Sequence, residues 1–229
     1  MTRSTANASA VNRLTVENLA VRTAAGRVLV NLPSLELDSG ASLGISGPSG
    51  AGKSTLLYAL AGLIRANEGS IQWGTADLAK LKEAQRSTFR AKHMGLIFQD
   101  FLLFEELDAL ANAALPGQFR PRRAREQLRA NAQNHLERLG IQLNARRVVT
   151  FSGGERQRVA VARALAGDPP VVLADEPTAS LHRKAADHLI DDLLGLVNEA
   201  QRTLIIVTHD ERVLGRLDRI INLVDGRPS

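Results

Sequence analysis

Apolar and polar residues alternate over Leu14–Val21 and again over Val28–Leu37, which predicts two strands, each with one buried face. Ala24-Ala25-Gly26 predicts the turn between them, so the pair forms an antiparallel edge. A second turn, Asp38-Ser39-Gly40, leads into the short buried strand Ser42–Ser46, and Leu56–Leu63 follows as an apolar helix. Asn67-Glu68-Gly69-Ser70 predicts a turn, Ile71-Gln72-Trp73 a short strand, Lys80–Lys92 a polar helix and Met94–Phe98 a buried strand. The period then changes. From Asp100 to Ala166 apolar residues recur at helical spacing, at Leu107, Ala109, Leu110 and Ala113, then at Leu128, Ala132, Leu136 and Leu139, where Gly140 stops the helix. Strand character returns at Val171–Ala174. A helix over Arg183–Glu199 leads to strands at Leu204–Thr208 and Arg219–Val224, and the turn Asp225-Gly226 follows. Buried strands alternating with helices predict an α/β fold. The chain divides into a core of residues 11–99 and 167–229, a helical insert of residues 100–166, and a flexible tail of residues 1–10.

The 229 residues suit one domain with a sizeable core, 44% of them being hydrophobic. There is no cysteine, which excludes a disulfide framework and thiolate chemistry. Apolar runs such as Leu204–Val207 are strand-sized, far below the roughly 18–20 residues of a membrane helix. Met1–Asn12 is rich in Ser, Thr, Ala and Asn and has no secretory apolar region; a frayed tail outweighs an organelle-targeting reading. The net charge of +5 raises the question of nucleic acid, but aromatics make up only 3% of the chain, leaving little to stack bases on. The run Arg120, Arg122, Arg123, Arg125 and Arg129 reads as a solvated helix face, with contact to anionic lipid as the second reading.

Between the third strand and the apolar helix lies Gly47-Pro48-Ser49-Gly50-Ala51-Gly52-Lys53-Ser54-Thr55, the G-x-x-x-x-G-K-S pattern of a phosphate-binding loop. Glycines let the backbone wrap an anion with its N–H groups inward, and the helix that follows adds the positive end of its dipole. Lys53 is placed to neutralise terminal phosphate charge, and Ser54 to put its hydroxyl on Mg²⁺. A glycine-rich turn beside a surface lysine is the bland alternative; the strand–loop–helix context weighs against it.

Val171–Ala174 ends in Asp175, Glu176 and Pro177. In phosphate-loop proteins such a strand lies beside the loop's own strand. Asp175 is then placed to bind Mg²⁺ through water, and Glu176, on the opposite side of the strand, to polarise the attacking water. A second glycine pair stands in Phe151-Ser152-Gly153-Gly154-Glu155-Arg156. Ser152 and Glu155 have capping-box spacing, and a capped helix start with two glycines leaves N–H groups free for a phosphate. Two such starts on different parts of one chain do not obviously grip the same phosphate. Two chains head to tail do, with each nucleotide between one phosphate loop and the partner's Ser152-Gly153-Gly154.

With these motifs in this order, the chain resembles the ATP-binding subunit of an ABC transporter over essentially its whole length. Within the family, Gly95–Gln99 with Leu102-Leu103, the run Gly153–Arg158, and Leu173–Thr178 look most like the lipoprotein-release, macrolide-export and cell-division group. The resemblance implies a P-loop NTPase (RecA-like) core with an antiparallel β edge and an inserted α-helical subdomain. It implies ATP and Mg²⁺ as cofactors and a homodimer formed on ATP binding. It also implies a separate transmembrane permease as partner, a place on the inner face of the cell membrane through that permease, and no nucleic acid. Gln99 would sense Mg²⁺ or the water and couple the site to the permease, Glu176 would be the general base, and His209 would contact the γ-phosphate. Ser54, Gln99 and Asp175 would form the metal site; Ser152, Gly153, Gly154 and Glu155 would complete the nucleotide site of a partner chain. The aromatic and apolar cluster Phe98, Phe101, Leu102, Leu103 and Phe104 reads as core, or as part of the groove that in the family receives a permease helix. His93, His135, His182 and His188 have no metal-ligand spacing.

Two departures stand out. The family stacks adenine on an aromatic upstream of the loop, whereas Thr23 falls near that place here and residues 1–46 hold no aromatic or histidine. Stacking is then reduced, or supplied by Arg22 or an aliphatic such as Val28. The loop after Pro177, which usually ends in Leu-Asp, reads Ser180-Leu181-His182. Slow turnover is the expectation. Export or extraction of a membrane substrate is the leading functional expectation, and a mechanical or regulatory ATPase without cargo the alternative. A soluble nucleic-acid-linked ABC protein would need two cassettes or long coiled coils, and a P-loop kinase leaves the second glycine segment unexplained.

Overall fold

The computed structural model describes residues 12–144 and 146–229; the expected flexible tail of residues 1–10 lies outside them. The described residues begin with two strands, β1 (Leu14–Arg22) and β2 (Val28–Leu37), followed by β3 (Ser42–Ser46) and α1 (Lys53–Leu60). Then come β4 (Glu68–Trp73), β5 (Ala76–Asp77), α2 (Glu83–His93) and β6 (Met94–Ile97). A helical stretch holds α3 (Ala109–Ala113), a 3-10 segment (Leu115–Phe119), α4 (Arg122–Arg138), a second 3-10 turn (Val148–Thr150) and α5 (Gly153–Leu165). The chain closes with β7 (Val171–Asp175), α6 (Arg183–Glu199), β8 (Thr203–Val207), α7 (Glu211–Leu214), β9 (Arg219–Val224) and β10 (Arg227–Pro228).

The strands form two sheets, a four-stranded antiparallel one ordered β2-β1-β4-β5 and a six-stranded one ordered β10-β9-β3-β8-β7-β6. The second is parallel from β9 through β6, and only the β10–β9 pair is antiparallel. This is an α/β fold with a P-loop NTPase core, an antiparallel edge and an inserted helical segment. Parallel strands covered on both faces read as continuous apolar runs, and Val171–Asp175 and Thr203–Val207 are buried at every position.

The sheet divides the interior in two. Ile97, Val172, Ala174, Leu204 and Ile206 face a core shared with α4, α5 and α6. Their neighbours Met94, Val171, Leu173, Ile205 and Val207 face a core shared with α1 and the antiparallel sheet. The two-residue period of a strand produces that split. Each fully buried Leu, Ile or Val contributes on the order of 1.5–3 kcal/mol.

Two expectations are corrected. The strand carrying Asp175 is not next to the phosphate-loop strand, because β8 lies between them, pairing Gly44 with Ile206 on one side and Ala174 with the same Ile206 on the other. The run Thr203–Val207, apolar after its first residue, belongs in the middle because both its faces are covered. The expected turn at Asn67–Ser70 is largely strand: Glu68 pairs with Ala20 and Ser70 with Glu17, across a register slip in β1. Just upstream, the Asn67 N–H bonds the Ala20 carbonyl at 2.9 Å and extends the contact with β1.

In the helical stretch, Asp108 caps α3 by accepting from the Ala111 N–H at 2.7 Å. Fully buried Asn112 accepts from the Phe104 N–H at 2.8 Å and donates to its carbonyl at 3.0 Å. These bonds fix the segment that leads from β6 into the helices. α4 buries Leu128, Ala132 and Leu136. Its arginines turn outward, as a solvated face requires: Arg122 pairs with Glu126 at 3.0 Å and Arg125 donates to the Gln118 carbonyl at 3.4 Å.

Candidate functional site

The loop between β3 and α1 has the backbone that its glycines permit. Gly47, at φ 136°, has the Leu223 carbonyl oxygen 2.1 Å from where a Cβ would stand. Gly52, at φ 90°, has the Leu29 carbonyl oxygen 2.4 Å from that point. Both residues need a left-handed backbone and room that only hydrogen leaves. The loop is thus clamped between β9 and β2, and the Gly226 N–H fastens it further by donating to the Ala51 carbonyl at 3.1 Å. Lys53 opens α1 and folds back over the loop, donating to the carbonyls of Gly47 and Pro48 at 2.9 Å each. Among the described residues it pairs with no carboxylate, so its charge stays available to an anion.

Ser54, one residue on, donates to Asp175 Oδ1 at 3.0 Å. Asp175 ends β7 and is only 2% exposed. The same carboxylate acts on Tyr58 one turn along α1. Burial, then a hydrogen bond to Asp175, then that carboxylate's charge, push the phenol far above its ordinary value. The Tyr58 phenol is therefore kept protonated, and its ring lies 6.1 Å from that of Phe98. Nothing in the sequence pattern marked Tyr58 for this part, since an apolar helix accommodates a tyrosine without comment.

Glu176 has φ 44°, a left-handed backbone that costs a non-glycine residue on the order of 1–2 kcal/mol. Its N–H donates to the Val207 carbonyl at 2.9 Å, which holds it in that shape. The twist brings the carboxylate to His209, whose Nδ1 is 3.0 Å from Glu176 Oε1. The other oxygen, Oε2, is buried with no hydrogen-bond partner. An orphaned carboxylate oxygen of this kind is a place for a water or a substrate proton.

A cavity of about 930 Å³ joins these groups. Lys53, Ser54, Gln99, Glu176 and His209 line it, with Gly47, Pro48, Ser49, Gly50, Gly52 and Thr55. Ala51 is buried beneath the loop and Asp175 is reached through Ser54. The far side is formed by Arg27, Val28 and Leu29 from the start of β2, and by Asp225 and Gly226. Of the two residues expected to contact the base, Val28 lines the cavity, whereas the Arg22 guanidinium is turned to Glu68, at 3.1 Å. Thr23 is occupied in closing its turn, its hydroxyl accepting from the Arg27 N–H at 3.2 Å. Arg27 lines the cavity although a residue just after a turn reads as solvent-facing.

Ser152, Gly153, Gly154 and Glu155 do not line this cavity. They start α5 with a complete capping box: Ser152 Oγ accepts from the Glu155 N–H at 3.3 Å and Glu155 Oε2 accepts from the Ser152 N–H at 2.8 Å. Arg146 also pairs with Glu155, at 3.2 Å. The Glu155 carboxylate is thus engaged within its own chain. Gly153 and Gly154 sit beside Ser180 and Leu181, in the loop that ends at His182. In the cluster after Gln99, Leu103 packs on the core, whereas Leu102 and Phe104 are exposed.

The residues present fit a nucleoside triphosphate with magnesium. The glycine loop, the helix start and Lys53 offer donors and positive charge to an anion. The Ser54–Asp175 pair offers two hard oxygens at 3.0 Å, as an oxygen-seeking divalent cation requires.

A family model described as "ABC transporter" matches residues 30–179. An uncharacterized ABC transporter ATP-binding protein, YbbA, of Escherichia coli K12 is 42% identical over 194 residues, 84% of this chain and 85% of that protein. The lipoprotein-releasing system ATP-binding protein LolD 1 of Chlorobium chlorochromatii is 38% identical, over 87% of this chain and 81% of its own. The macrolide export ATP-binding/permease protein MacB 1/2 of Paracoccus denitrificans is 39% identical over 88% of this chain, which spans 30% of that longer protein. Among solved structures, the dimeric bacterial ABC transporter cassette MJ0796 superposes with a TM-score of 0.84 at 32% identity, covering 94% of this chain and 96% of its own. A second structure of that cassette, in a post-hydrolysis state bound to ADP and Pi, superposes with a TM-score of 0.83.

Proposed function

The chain belongs to the ABC transporter family as an ATP-hydrolysing cassette, and we propose that it dimerises on ATP and drives a separate membrane permease that exports or extracts a membrane substrate. The observation that carries the site reading is the convergence of Lys53, Ser54, Gln99, Glu176 and His209 on one cavity. These residues come from the loop after β3, the segment after β6, the end of β7 and the end of β8. A fold places ligand chemistry at the carboxyl ends of its parallel strands, and all four segments leave the sheet at that edge.

In this mechanism the loop N–H groups and Lys53 hold the β- and γ-phosphates. Ser54 and Asp175 hold magnesium, which when bound neutralises charge on the phosphoryl oxygens. Glu176 takes the proton of the attacking water. His209 holds the Glu176 carboxylate from Nδ1, leaving its other ring nitrogen to reach the terminal phosphate. Gln99 is exposed at the cavity rim, next to exposed Leu102 and Phe104, and so is able to report the site's state to a permease seated there. The site is incomplete without a second chain, because Ser152-Gly153-Gly154 lie outside the cavity. We place them over a partner's nucleotide in a head-to-tail dimer.

Among the described residues no helix is long and apolar enough to cross a membrane. The reading places this chain at the inner face of the cell membrane through its permease, with no part for nucleic acid. Purification of the Glu176→Gln variant from solubilised membranes, with and without ATP, tests it. A polytopic protein retained only with ATP is expected. If that protein carries no translocation path, the chain is a mechanical ATPase; a dimer that brings down no membrane protein overturns the transport reading.

A further inference from the structure

The turn that follows Glu176 and the segment that carries His209 meet through one side chain. Arg183, the first residue of α6, places Nη1 2.5 Å from Asp210 Oδ2. Its Nε and Nη2 reach the two carboxylate oxygens of Asp187 at 3.2 and 2.6 Å. The fork on Asp187, four residues along the same helix, aims the remaining arm at Asp210. Asp210 is itself tightly placed: it caps α7 by accepting from the Arg212 N–H at 3.0 Å, and its own N–H donates to Thr208 Oγ1 at 3.1 Å. Thr208 is 1% exposed, and its N–H is bonded to the Ile45 carbonyl at 3.1 Å. His209, between these two anchored residues, is the exposed member, and its imidazole leans on Glu176. The contacts close a ring from Glu176 through residues 177–182, Arg183, Asp210 and His209 back to Glu176. Neither Arg183 nor Asp210 lines the nucleotide cavity.

We infer that Arg183 is a positioning residue, which through Asp210 sets the His209 imidazole against Glu176 and couples it to the 177–182 turn. The pair is partly solvated, with Arg183 42% and Asp210 22% exposed, so it adds little to stability. Its effect is geometric. Displacing a catalytic group by about 1 Å lowers rate by up to about a hundredfold, so a weak tether leaves a measurable trace in turnover. The turn it restrains is the one beside Gly153 and Gly154. A shift of that turn when a second chain closes over the site would thus reach His209 inside the same chain.

The kinetic part of the test rests on the proposed ATPase mechanism, and the spectroscopic part does not. In the nucleotide-free full chain carrying ¹⁵N-labelled histidine, the His209 ring signals, identified by loss in His209→Gln, should move toward those of a solvated histidine in Arg183→Ala and Asp210→Asn. Arg183→Lys should keep them near the parent. Asn caps a helix as well as Asp does, so Asp210→Asn removes the charge and spares α7. In steady-state hydrolysis, Arg183→Ala should lower kcat about tenfold while KM and ADP affinity stay within about twofold. Arg183→Lys should recover part of that loss, and the double variant should be no slower than either single one. Unchanged His209 signals in Arg183→Ala overturn the inference, as does a loss shared equally by kcat and ADP affinity. If the parent does not hydrolyse ATP, the catalytic reading fails and the histidine signals alone decide the tether.

Discussion

Ser54 donates its hydroxyl to Asp175 across 3.0 Å, although 121 residues separate the two in sequence and a whole strand, β8, separates their strands in the sheet. The bond spans the end of β8 because Asp175 is the last residue of β7 and Ser54 lies in the first turn of α1, past the carboxyl end of β3. It joins the helix that follows the phosphate loop to the strand that presents Glu176, so the groups proposed for metal binding and for water activation share one scaffold.

Asp175→Asn and Ser54→Ala are both expected to break this link in a way that magnesium reports. Hydrolysis should fall about a hundredfold or more in Asp175→Asn. In Ser54→Ala, added magnesium should no longer tighten nucleotide binding. Titrating Mg²⁺ against ADP binding and ATP turnover checks both. A Ser54→Ala chain with the parent's magnesium dependence would remove Ser54 from the metal site.

Glu176→Gln should abolish turnover, by at least about a hundredfold, since the amide cannot accept the water's proton. It keeps the size of the side chain at a backbone held at φ 44°, so the fold should stand. With ATP, light scattering should find a dimer that persists, and with ADP a monomer. A monomer under both conditions would contradict the head-to-tail arrangement.

The fold and most of the candidate site's lining could be read from the sequence because the signals are local. Gly47–Thr55 carries its own geometry, Ser152 and Glu155 spell out the capping box found at α5, and the continuous apolar runs marked the central strands. What could not be read depends on distant pairing. No local feature says that Thr203–Val207 enters between β3 and β7, because an apolar run fits any central slot equally well. Asn67–Ser70 reads as a turn from its Asn and Gly, yet pairing with β1 across a register slip makes Glu68–Ser70 strand. Arg27 was missed for a similar reason: it comes to line the cavity only because the chain brings the start of β2 opposite the phosphate loop.

His182→Asp should speed hydrolysis several-fold and also stabilise the chain. His182 is the N-cap of α6 but makes no capping hydrogen bond, whereas aspartate at an N-cap contributes about 1 kcal/mol. For a chain of this size that corresponds to a rise in Tm of about 2–4 °C. Calorimetry separates this gain from the kinetic one. A higher Tm with unchanged turnover and dimerisation would show that the loop is not what limits the rate.

ATP and GTP should bind with similar affinity. The far wall of the cavity offers Val28 and Arg27, an aliphatic surface and a guanidinium that makes no hydrogen bond or ion pair among the described residues. Both groups stack on any purine and read neither base edge. Competition between the two nucleotides for a fluorescent analogue checks this, and a strong preference for ATP would require a donor or acceptor to reach the base.

Asp218 should make stability fall in acid. The Ser42 hydroxyl, at 2.7 Å, and the Ser42 N–H, at 2.8 Å, both donate to one Asp218 oxygen and hold its carboxyl below the ordinary aspartate value of 3.8. A group whose folded value is depressed binds its proton more readily in the unfolded chain. Its stabilisation is therefore fully present above the unfolded value and is lost as pH falls through the folded one. The bond ties the start of β3, which leads into the phosphate loop, to the residue just before β9, which helps clamp that loop. Asp218→Asn keeps an acceptor but loses the charge, at a cost of about 1 kcal/mol once screening by solvent is allowed for. Urea unfolding of parent and variant should differ by that amount at neutral pH, and the gap should narrow from about pH 4 downward. A gap independent of pH would mean that packing around residue 218, and not its charge, is what the substitution disturbs.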